Sequence, residues 1–272
     1  MSLLRKLTAW VKKPVPVIDE TLWLQATDGY AFMHGLTAEE NRRLRLVASD
    51  FLAQKSIIGM ANMPLTDKMR VEIAAQASIL VLELGIDYFS GWSDIIVYPG
   101  QFRPEREVID DIGLVHTTRE TLAGEAWLGG PVILSYEDVA RVGSADAVAG
   151  HNVVIHEFAH KLDMLNGDAN GFPPLHRTMS NKHWQQVFQA AYLDFCAKTD
   201  EADAAEADDG GAALSMLPMD PYASQSPAEF FAVVSEAFFE LPQQIKRAYP
   251  EVYAQLALFY RQDPAGRLAH KP

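Results

Sequence analysis

The chain has 272 residues, of which 49% are hydrophobic, and its 36 acidic against 23 basic side chains give a net charge of -13. This apolar content supports a well-formed globular core, whereas the acidic balance argues against general binding to nucleic acid or to an anionic membrane surface. A single cysteine, Cys196, excludes an internal disulfide and a four-cysteine structural zinc site, and it favours a reducing compartment such as the cytoplasm.

The N-terminal segment mixes apolar and basic residues. Arg5, Lys6, Lys12 and Lys13 interrupt its apolar run, so it lacks the continuous apolar core of a secretory signal. The apolar residues fall on one helical face, which predicts a short helix capping the domain, with contact to a membrane surface or a partner as the alternative. No stretch reaches about 18 consecutive apolar residues, so we predict no membrane span.

Helices and strands alternate in the N-terminal half, at about 14–140. A capping-box pattern at Thr37–Glu40 opens the first of these helices, and Gly85 is a good residue to end the second. In chain order the predicted elements are a helix at 37–55, a helix at 66–84, a buried strand at 94–99, a strand near 114–118 and a strand at 129–136.

Helices dominate the C-terminal half, at about 146–262. Four helices are predicted: the first carries residues 156–160 and ends near Leu165, the next two cover 181–198 and 226–240, and the fourth begins at Pro250. The stretch at 199–213, dense in Ala, Asp, Glu and Gly, is predicted to be a mobile surface loop without a role in the chemistry. With no internal repeat and no clean linker, we predict one domain over 1–272, with an α+β fold that combines a small sheet and a helical zinc-binding layer.

An H-E-x-x-H pentapeptide at 156–160 is the strongest functional signal in the chain. On an α-helix, residues four apart lie one turn above each other, so His156 and His160 project from one face and can bind one zinc ion. Glu157 then lies beside the metal, where its carboxylate can take a proton from a water whose pKa zinc lowers towards about 7. The segment is strongly apolar, and buried imidazoles in such a setting need a partner.

A catalytic zinc usually takes three protein ligands, so a third ligand remains to be found. Asp163 and Asn166 stand where the H-E-x-x-H-x-x-G-x-x-H pattern requires Gly and His, which excludes a third histidine there. Asp163 shares the helical face of both histidines, and we interpret it as an acceptor that orients an imidazole.

The remaining candidates are Glu229, Glu236 and Glu240, on a predicted helix that is apolar on most sides. Glu229 and Glu236 are seven residues apart and share a face, where buried carboxylates need a cation or hydrogen-bond donors. Glu229 has an alternative role, because Ser226 and Glu229 form a capping-box pattern in which the glutamate would bond back to the Ser226 amide. From the residues alone, Glu229 and Glu236 are equal candidates for the third ligand.

Several motifs together resemble the bacterial Mlc titration factor A family. The resemblance covers most of the chain and includes the His-Glu-Phe-Ala-His-Lys-Leu-Asp run at 156–163, Tyr222, the Pro-Ala-Glu at 227–229, the Ser-Glu at 235–236 and the Gly-Pro-Val-Ile-Leu-Ser at 130–135. This family consists of zinc metallopeptidases whose catalytic domain is similar to that of anthrax lethal factor. The resemblance therefore implies a zincin-like metallopeptidase domain.

The resemblance also implies a role for each site residue. His156, His160 and Glu229 would bind Zn²⁺, and Glu157 would be the catalytic base. Tyr222 matches the family tyrosine that faces the metal and would stabilise the oxyanion. Without the resemblance, Tyr222 is interpreted as a turn residue in Asp220-Pro-Tyr.

The expected function is hydrolysis of a peptide or protein substrate, and the resemblance implies aminopeptidase activity. Glu125 is a candidate anchor for the ammonium group of such a substrate. The strand at 132–135 is either the sheet edge along which an extended peptide pairs or an interior strand. A competing function, implied by the family name, is a regulatory protein that sequesters Mlc, the repressor of glucose-uptake genes. A purely structural zinc site is disfavoured, because two His and one Glu leave one coordination position open.

Overall fold

A computed structural model gives the fold of most of the chain. The described residues are 15–100, 105–109, 115–119, 124–126, 130–209 and 212–269, with the backbone alone described at 105–126, 206–209 and 269. The predicted N-terminal helix lies outside the described residues, and so does the side chain of Glu125. No helix among the described residues is both long and apolar enough to cross a membrane.

Helices form most of the described chain, and two small sheets complete it, which confirms the α+β prediction. The helices are α1 (Glu20–Thr27), α2 (Ala38–Gln54), α3 (Asp67–Leu80), α4 (Tyr136–Arg141), α5 (Val153–Asp163), α6 (Asn181–Asp209), α7 (Ala212–Ser215), α8 (Pro227–Glu240), α9 (Pro242–Ala248), α10 (Pro250–Tyr260) and α11 (Pro264–Ala269). The strands are β1 (Ser56–Gly59), β2 (Asp94–Tyr98), β3 (Glu105–Ile109), β4 (Val115–Arg119), β5 (Gly124–Ala126) and β6 (Val132–Ser135).

The main sheet has the strand order β1–β2–β6–β5. β1, β2 and β6 are parallel, β5 runs antiparallel to β6 at the edge, and β3 pairs with β4 in a separate antiparallel sheet. The alternative that 132–135 form the sheet edge is therefore wrong, since β6 lies between β2 and β5. Val132 and Leu134 are fully buried, as expected for an interior strand.

The first of two early helices follows its predicted signals closely, whereas the second ends before Gly85, which does not cap it. The Thr37 side chain accepts a hydrogen bond from the Glu40 amide, and the Glu40 carboxylate accepts one from the Thr37 amide, so the capping box at the start of α2 is confirmed. α3 ends at Leu80, earlier than the predicted Leu84, and a turn leads to Gly85. Gly85 has a φ of 93°, a conformation that glycine adopts without strain.

The predicted surface loop at 199–213 is wrong over most of its length, because α6 continues to Asp209. The composition that suggested a loop is rich in Ala, which is also the strongest helix former. The Thr199 hydroxyl donates to the Phe195 carbonyl within the helix, and Thr199 and Ala202 are both buried. Packing of this side of the helix therefore prolongs it beyond the predicted end at Lys198.

The back face of α5 packs on an aromatic cluster in the core. The Phe158 ring lies 5.5 Å from Phe51, 5.0 Å from Phe89 and 5.6 Å from Trp92, measured between ring centroids. Phe158 is two residues from His156 and from His160, so it projects from the opposite side of the helix. Burying this face leaves the histidine face of α5 turned towards α8.

Candidate metal centre

Asn152 fixes the start of α5. Its side-chain oxygen accepts a hydrogen bond of 3.0 Å from the Ile155 amide, as a helix N-cap residue does. From this start, His156 and His160 lie one turn apart on the same face, as the H-E-x-x-H spacing predicts. Their ring centroids are 4.8 Å apart.

The structure brings His156, His160 and Glu229 together. The two Nε2 atoms are 3.2 Å apart, and Glu229 Oε2 lies 3.0 Å from His156 Nε2 and 3.3 Å from His160 Nε2. A tetrahedral zinc site with bonds of about 2.0–2.1 Å holds its ligand atoms about 3.3 Å apart. The three atoms therefore have the separations and the chemistry, two imidazole nitrogens and a carboxylate oxygen, of a zinc site with an open position.

The structure distinguishes Glu229 from Glu236, which the residues alone left open. The Glu229 carboxylate faces the Nε2 atoms of both histidines, whereas Glu236 Oε1 lies 2.8 Å from His156 Nδ1, on the far side of that ring. Glu236 is only 1% exposed, and its other oxygen accepts a hydrogen bond from the Asn152 amide. Glu236 therefore fixes the orientation of the His156 imidazole and leaves Nε2 free to bind a metal.

Only one of the two hydrogen bonds of the alternative capping box at Ser226 and Glu229 is present among the described residues. Ser226 Oγ accepts a hydrogen bond of 3.2 Å from the Glu229 amide and caps α8. The Glu229 carboxylate, however, lies between the two histidines. Glu240 is not part of the group of possible metal ligands, and it accepts a hydrogen bond of 2.8 Å from the Asn152 side chain.

The interpretation of Asp163 as an acceptor for an imidazole is wrong. Its carboxylate accepts hydrogen bonds from three backbone amides, those of Asn170, Gly171 and Phe172, at 2.7–2.8 Å. The loop after α5 folds back to these oxygens and occupies them. His160 Nδ1 has no hydrogen-bond partner among the described residues.

Electrostatics in the cluster favour a carboxylate facing two imidazoles. Burial by itself would raise the pKa of Glu229, but hydrogen bonds from His156 and His160 outweigh it and hold the pKa at about 2. Burial disfavours a charged His156, yet hydrogen bonds to Glu229 and Glu236 hold its pKa well above the ordinary value. A metal ion would have to replace the proton on each ring, because only a neutral imidazole offers a lone pair, and the neighbouring carboxylates favour its positive charge.

Glu157 lies beside the cluster on α5 and is 4% exposed. One of its carboxylate oxygens, Oε2, is buried and has no hydrogen-bond partner among the described residues. Burial raises the pKa of Glu157 to about 7, and the neighbouring histidines oppose this rise. A carboxylate with a pKa near neutrality can take up and release a proton at physiological pH.

Tyr222 lies in the short 3-10 turn Pro221–Ser224, and both interpretations from sequence describe part of its setting. Its amide donates a hydrogen bond of 2.8 Å to Asp220 Oδ1, as in a turn. Its ring centroid is 6.0 Å from that of His156, and the residue is 48% exposed. The ring therefore borders the candidate metal centre and is accessible from solvent.

Sequence reasoning missed Asn152 and Lys161, which support the site. Asn152, directly before the apolar run of α5, carried a signal, because Asn is a preferred N-cap residue. Lys161 is 4% exposed, and its Nζ donates a hydrogen bond of 2.7 Å to the Gly130 carbonyl and lies 4.8 Å from the Trp92 ring centroid. Burial lowers the pKa of Lys161 to about 8, while Glu157 opposes this fall. A lysine in an otherwise apolar run gave no signal of this contact.

Comparison with known proteins identifies relatives over nearly the whole chain. The family described as "Glucose-regulated metallo-peptidase M90" matches residues 5–261. A protein of Pectobacterium atrosepticum named "Mlc titration factor A" is 40% identical over 90% of this chain and 87% of its own length. Proteins of the same name are 37% identical in Escherichia fergusonii, over 97% and 94%, and 40% identical in Serratia proteamaculans, over 86% and 84%.

Proposed function

The chain belongs to the M90 family of metallopeptidases, and from this membership and the geometry of the site we propose that it is a zinc-dependent peptidase. The observation that carries the proposal is the cluster of His156 Nε2, His160 Nε2 and Glu229 Oε2, whose separations of 3.0–3.3 Å suit one tetrahedral metal ion. These three residues would bind Zn²⁺. Glu236 would hold the His156 ring in the orientation that this requires.

When bound, a zinc ion supplies a Lewis acid that polarises a carbonyl group and acidifies water. Glu157 takes the proton from the attacking water and returns it to the leaving amine, and its buried Oε2, which no described residue hydrogen-bonds, is suited to that exchange. Tyr222 borders the same space and donates a hydrogen bond to the oxyanion that develops on the substrate carbonyl.

The substrate is proposed to be an extended peptide that pairs with the edge strand β5. Among the described residues β5 is the edge strand of the main sheet and packs against α5, and main-chain hydrogen bonds along such an edge hold a peptide without demanding a sequence. Aminopeptidase activity is the more specific form of the proposal. Hydrolysis of an aminoacyl chromogenic substrate, and its loss when the substrate amine is acetylated, is the expected result; equal rates on both would contradict it.

The variant Glu157→Gln tests the catalytic proposal. It keeps the size of the side chain and removes the base, so zinc should remain bound at one ion per chain while peptide hydrolysis falls by at least about 100-fold. Metal content measured by atomic absorption and initial rates measured on the same sample separate the two effects. A variant that retains full activity would contradict the role of Glu157, and a wild-type chain without zinc would contradict the metal centre itself.

We also propose that the chain binds a transcriptional repressor of the Mlc type and thereby regulates glucose-uptake genes. The support is the name "Mlc titration factor A" of relatives that are 37–40% identical over most of both chains. With an acidic net charge of -13, the chain is expected to bind the repressor protein and not its DNA. Binding and hydrolysis can coexist on one chain.

Pull-down of purified Mlc-type repressor with the Glu157→Gln variant separates these activities. Binding should survive this substitution, whereas cleavage should not. Binding by this variant that a saturating peptide substrate displaces would indicate that the repressor is held only as a substrate. Absence of binding by the wild-type chain would contradict the regulatory proposal and leave the peptidase proposal standing.

A further inference from the structure

Asp163 is the last residue of α5, and it is fully buried although the proposed chemistry does not use it. Its Oδ2 accepts hydrogen bonds of 2.7 Å from the amides of Asn170 and Gly171, and its Oδ1 accepts one of 2.8 Å from the Phe172 amide. Hydrogen bonds to an ionised group are roughly twice as strong as neutral ones. Asp163 therefore binds the loop that follows it firmly to the end of α5.

Gly171, one of the residues bound by Asp163, packs directly against the start of α8. It has a φ of +77°, and a Cβ atom at this position would lie 2.4 Å from the Pro227 carbonyl oxygen, far inside van der Waals contact. The Gly171 carbonyl accepts a hydrogen bond of 3.1 Å from Trp184 Nε1 on α6. The loop is thus held against the first turn of α8 and also against α6, with no room for a side chain between loop and helix.

Pro227 is the first residue of α8, and Glu229 follows it by two positions. We infer that Asp163 and Gly171 are positioning residues that set the distance between Glu229 and the two histidines. One end of the contact chain is the helix that carries His156 and His160, and the other end is the helix turn that carries Glu229. This inference rests on the proposed zinc site, because its purpose is to hold three ligand atoms at the separations that one metal ion requires.

Gly171→Ala tests the inference without altering any proposed ligand. The added Cβ collides with the Pro227 carbonyl and must move the loop or the first turn of α8. Zinc affinity, measured by competition with a chromogenic chelator, should fall by about 10–100-fold, the range found when outer-shell partners of a metal site are lost. The matched control is Gly167→Ala in the same loop, where φ is +140° but no atom of the described residues lies within 4 Å of the new Cβ. The control carries backbone strain without the collision, so its zinc affinity should stay within about twofold of the wild type.

A second measurement works without zinc. Hydrogen exchange of the Glu229 and Phe230 amides, which bond to Ser226 in the first turn of α8, should accelerate in metal-free Gly171→Ala and not in Gly167→Ala. Unchanged exchange and unchanged zinc affinity in folded Gly171→Ala would overturn the inference. A wild-type chain that binds no zinc would instead refute the proposed function. The exchange measurement would still show whether the loop at Gly171 holds the first turn of α8 in place.

Asp163→Asn provides an independent variant if Gly171→Ala fails to fold. The neutral amide places an N–H₂ group where an acceptor is needed, and it should release the loop and weaken zinc binding in the same direction. Because both substitutions act through one contact chain, the loss in the double variant should be smaller than the product of the two single losses. Native zinc affinity and native exchange in folded Asp163→Asn, or independent effects in the double variant, would contradict the inference.

Discussion

Helices α5 and α8 form the two walls of the candidate metal centre by different means. On α5, His156, Glu157 and His160 lie within five consecutive residues, so the helical period alone determines their relative positions. On α8, Glu229 meets His160 across 69 positions of chain and Glu236 meets His156 across 80. The first wall is therefore a local structure, whereas the second depends on how distant elements pack, and the two should respond differently to substitution.

The largest expected effect is a loss of stability when the core contact behind α5 is removed. Phe158→Ala removes the ring at the centre of the aromatic cluster behind α5 and should lower the free energy of unfolding by about 3–5 kcal/mol. Urea denaturation of the metal-free protein measures this loss. Phe158→Leu, which fills most of the same volume, is the control and should lose much less. A loss of less than about 1 kcal/mol from the alanine variant would mean that other faces of α5 hold it in place.

The next largest effect is expected when Glu229, the proposed third ligand on α8, is replaced. Glu229→Gln should weaken zinc binding by more than about 100-fold, beyond the range for loss of an outer-shell partner. Chelator competition on the folded variant measures the affinity.

Glu236→Gln is the matched comparison on the same helix face, and it should weaken zinc binding by about 10–100-fold, since Glu236 contacts the far side of the His156 ring. A larger loss from Glu236→Gln than from Glu229→Gln would reverse the assignment of the two glutamates.

A smaller effect concerns Glu157 and pH. Because burial raises the pKa of Glu157 from 4.5 to about 7, its contribution to the stability of the metal-free protein is complete below about pH 4.5 and is lost as pH rises through 7. Glu157→Gln removes this dependence. Between pH 5 and pH 8 the variant should therefore lose less stability than the wild type, by on the order of 2 kcal/mol, as measured by urea denaturation in the presence of EDTA. Parallel pH profiles for the two proteins would show that Glu157 is ionised throughout.

The smallest effect on stability is expected from the N-terminal cap of α8. Ser226→Ala removes the N-cap of α8 and should lower the free energy of unfolding by about 1 kcal/mol. Pro227 keeps the backbone of the first turn, so zinc affinity should change by less than about threefold. Thermal unfolding and chelator competition check the two expectations. A zinc affinity that falls as far as in Gly171→Ala would mean that the cap, and not the loop, positions Glu229.

Local signals in the sequence predicted the elements that carry the site. The capping pattern at Thr37–Glu40, the apolar periodicity around 156–160 and the Ser226-Pro227 start of α8 each describe interactions within a few residues, and each element forms where predicted. Prediction failed where packing competes with composition. The Ala- and Asp-rich residues after Lys198 were compatible with loop or helix, and burial of Thr199 and Ala202 against the rest of the fold decided for helix.

The same division holds at the site itself. The sequence by itself determined that His156, Glu157 and His160 share one region of a helix, because a four-residue spacing has a single meaning on an α-helix. Only the tertiary structure decided that Glu229 faces both Nε2 atoms while Glu236 contacts Nδ1, and that Asp163 binds loop amides and no imidazole. Both glutamates lie on the same face of α8, so the choice depends on the distance and angle between two helices that are far apart in the chain. Those are set by the packing of many side chains, which no local pattern records.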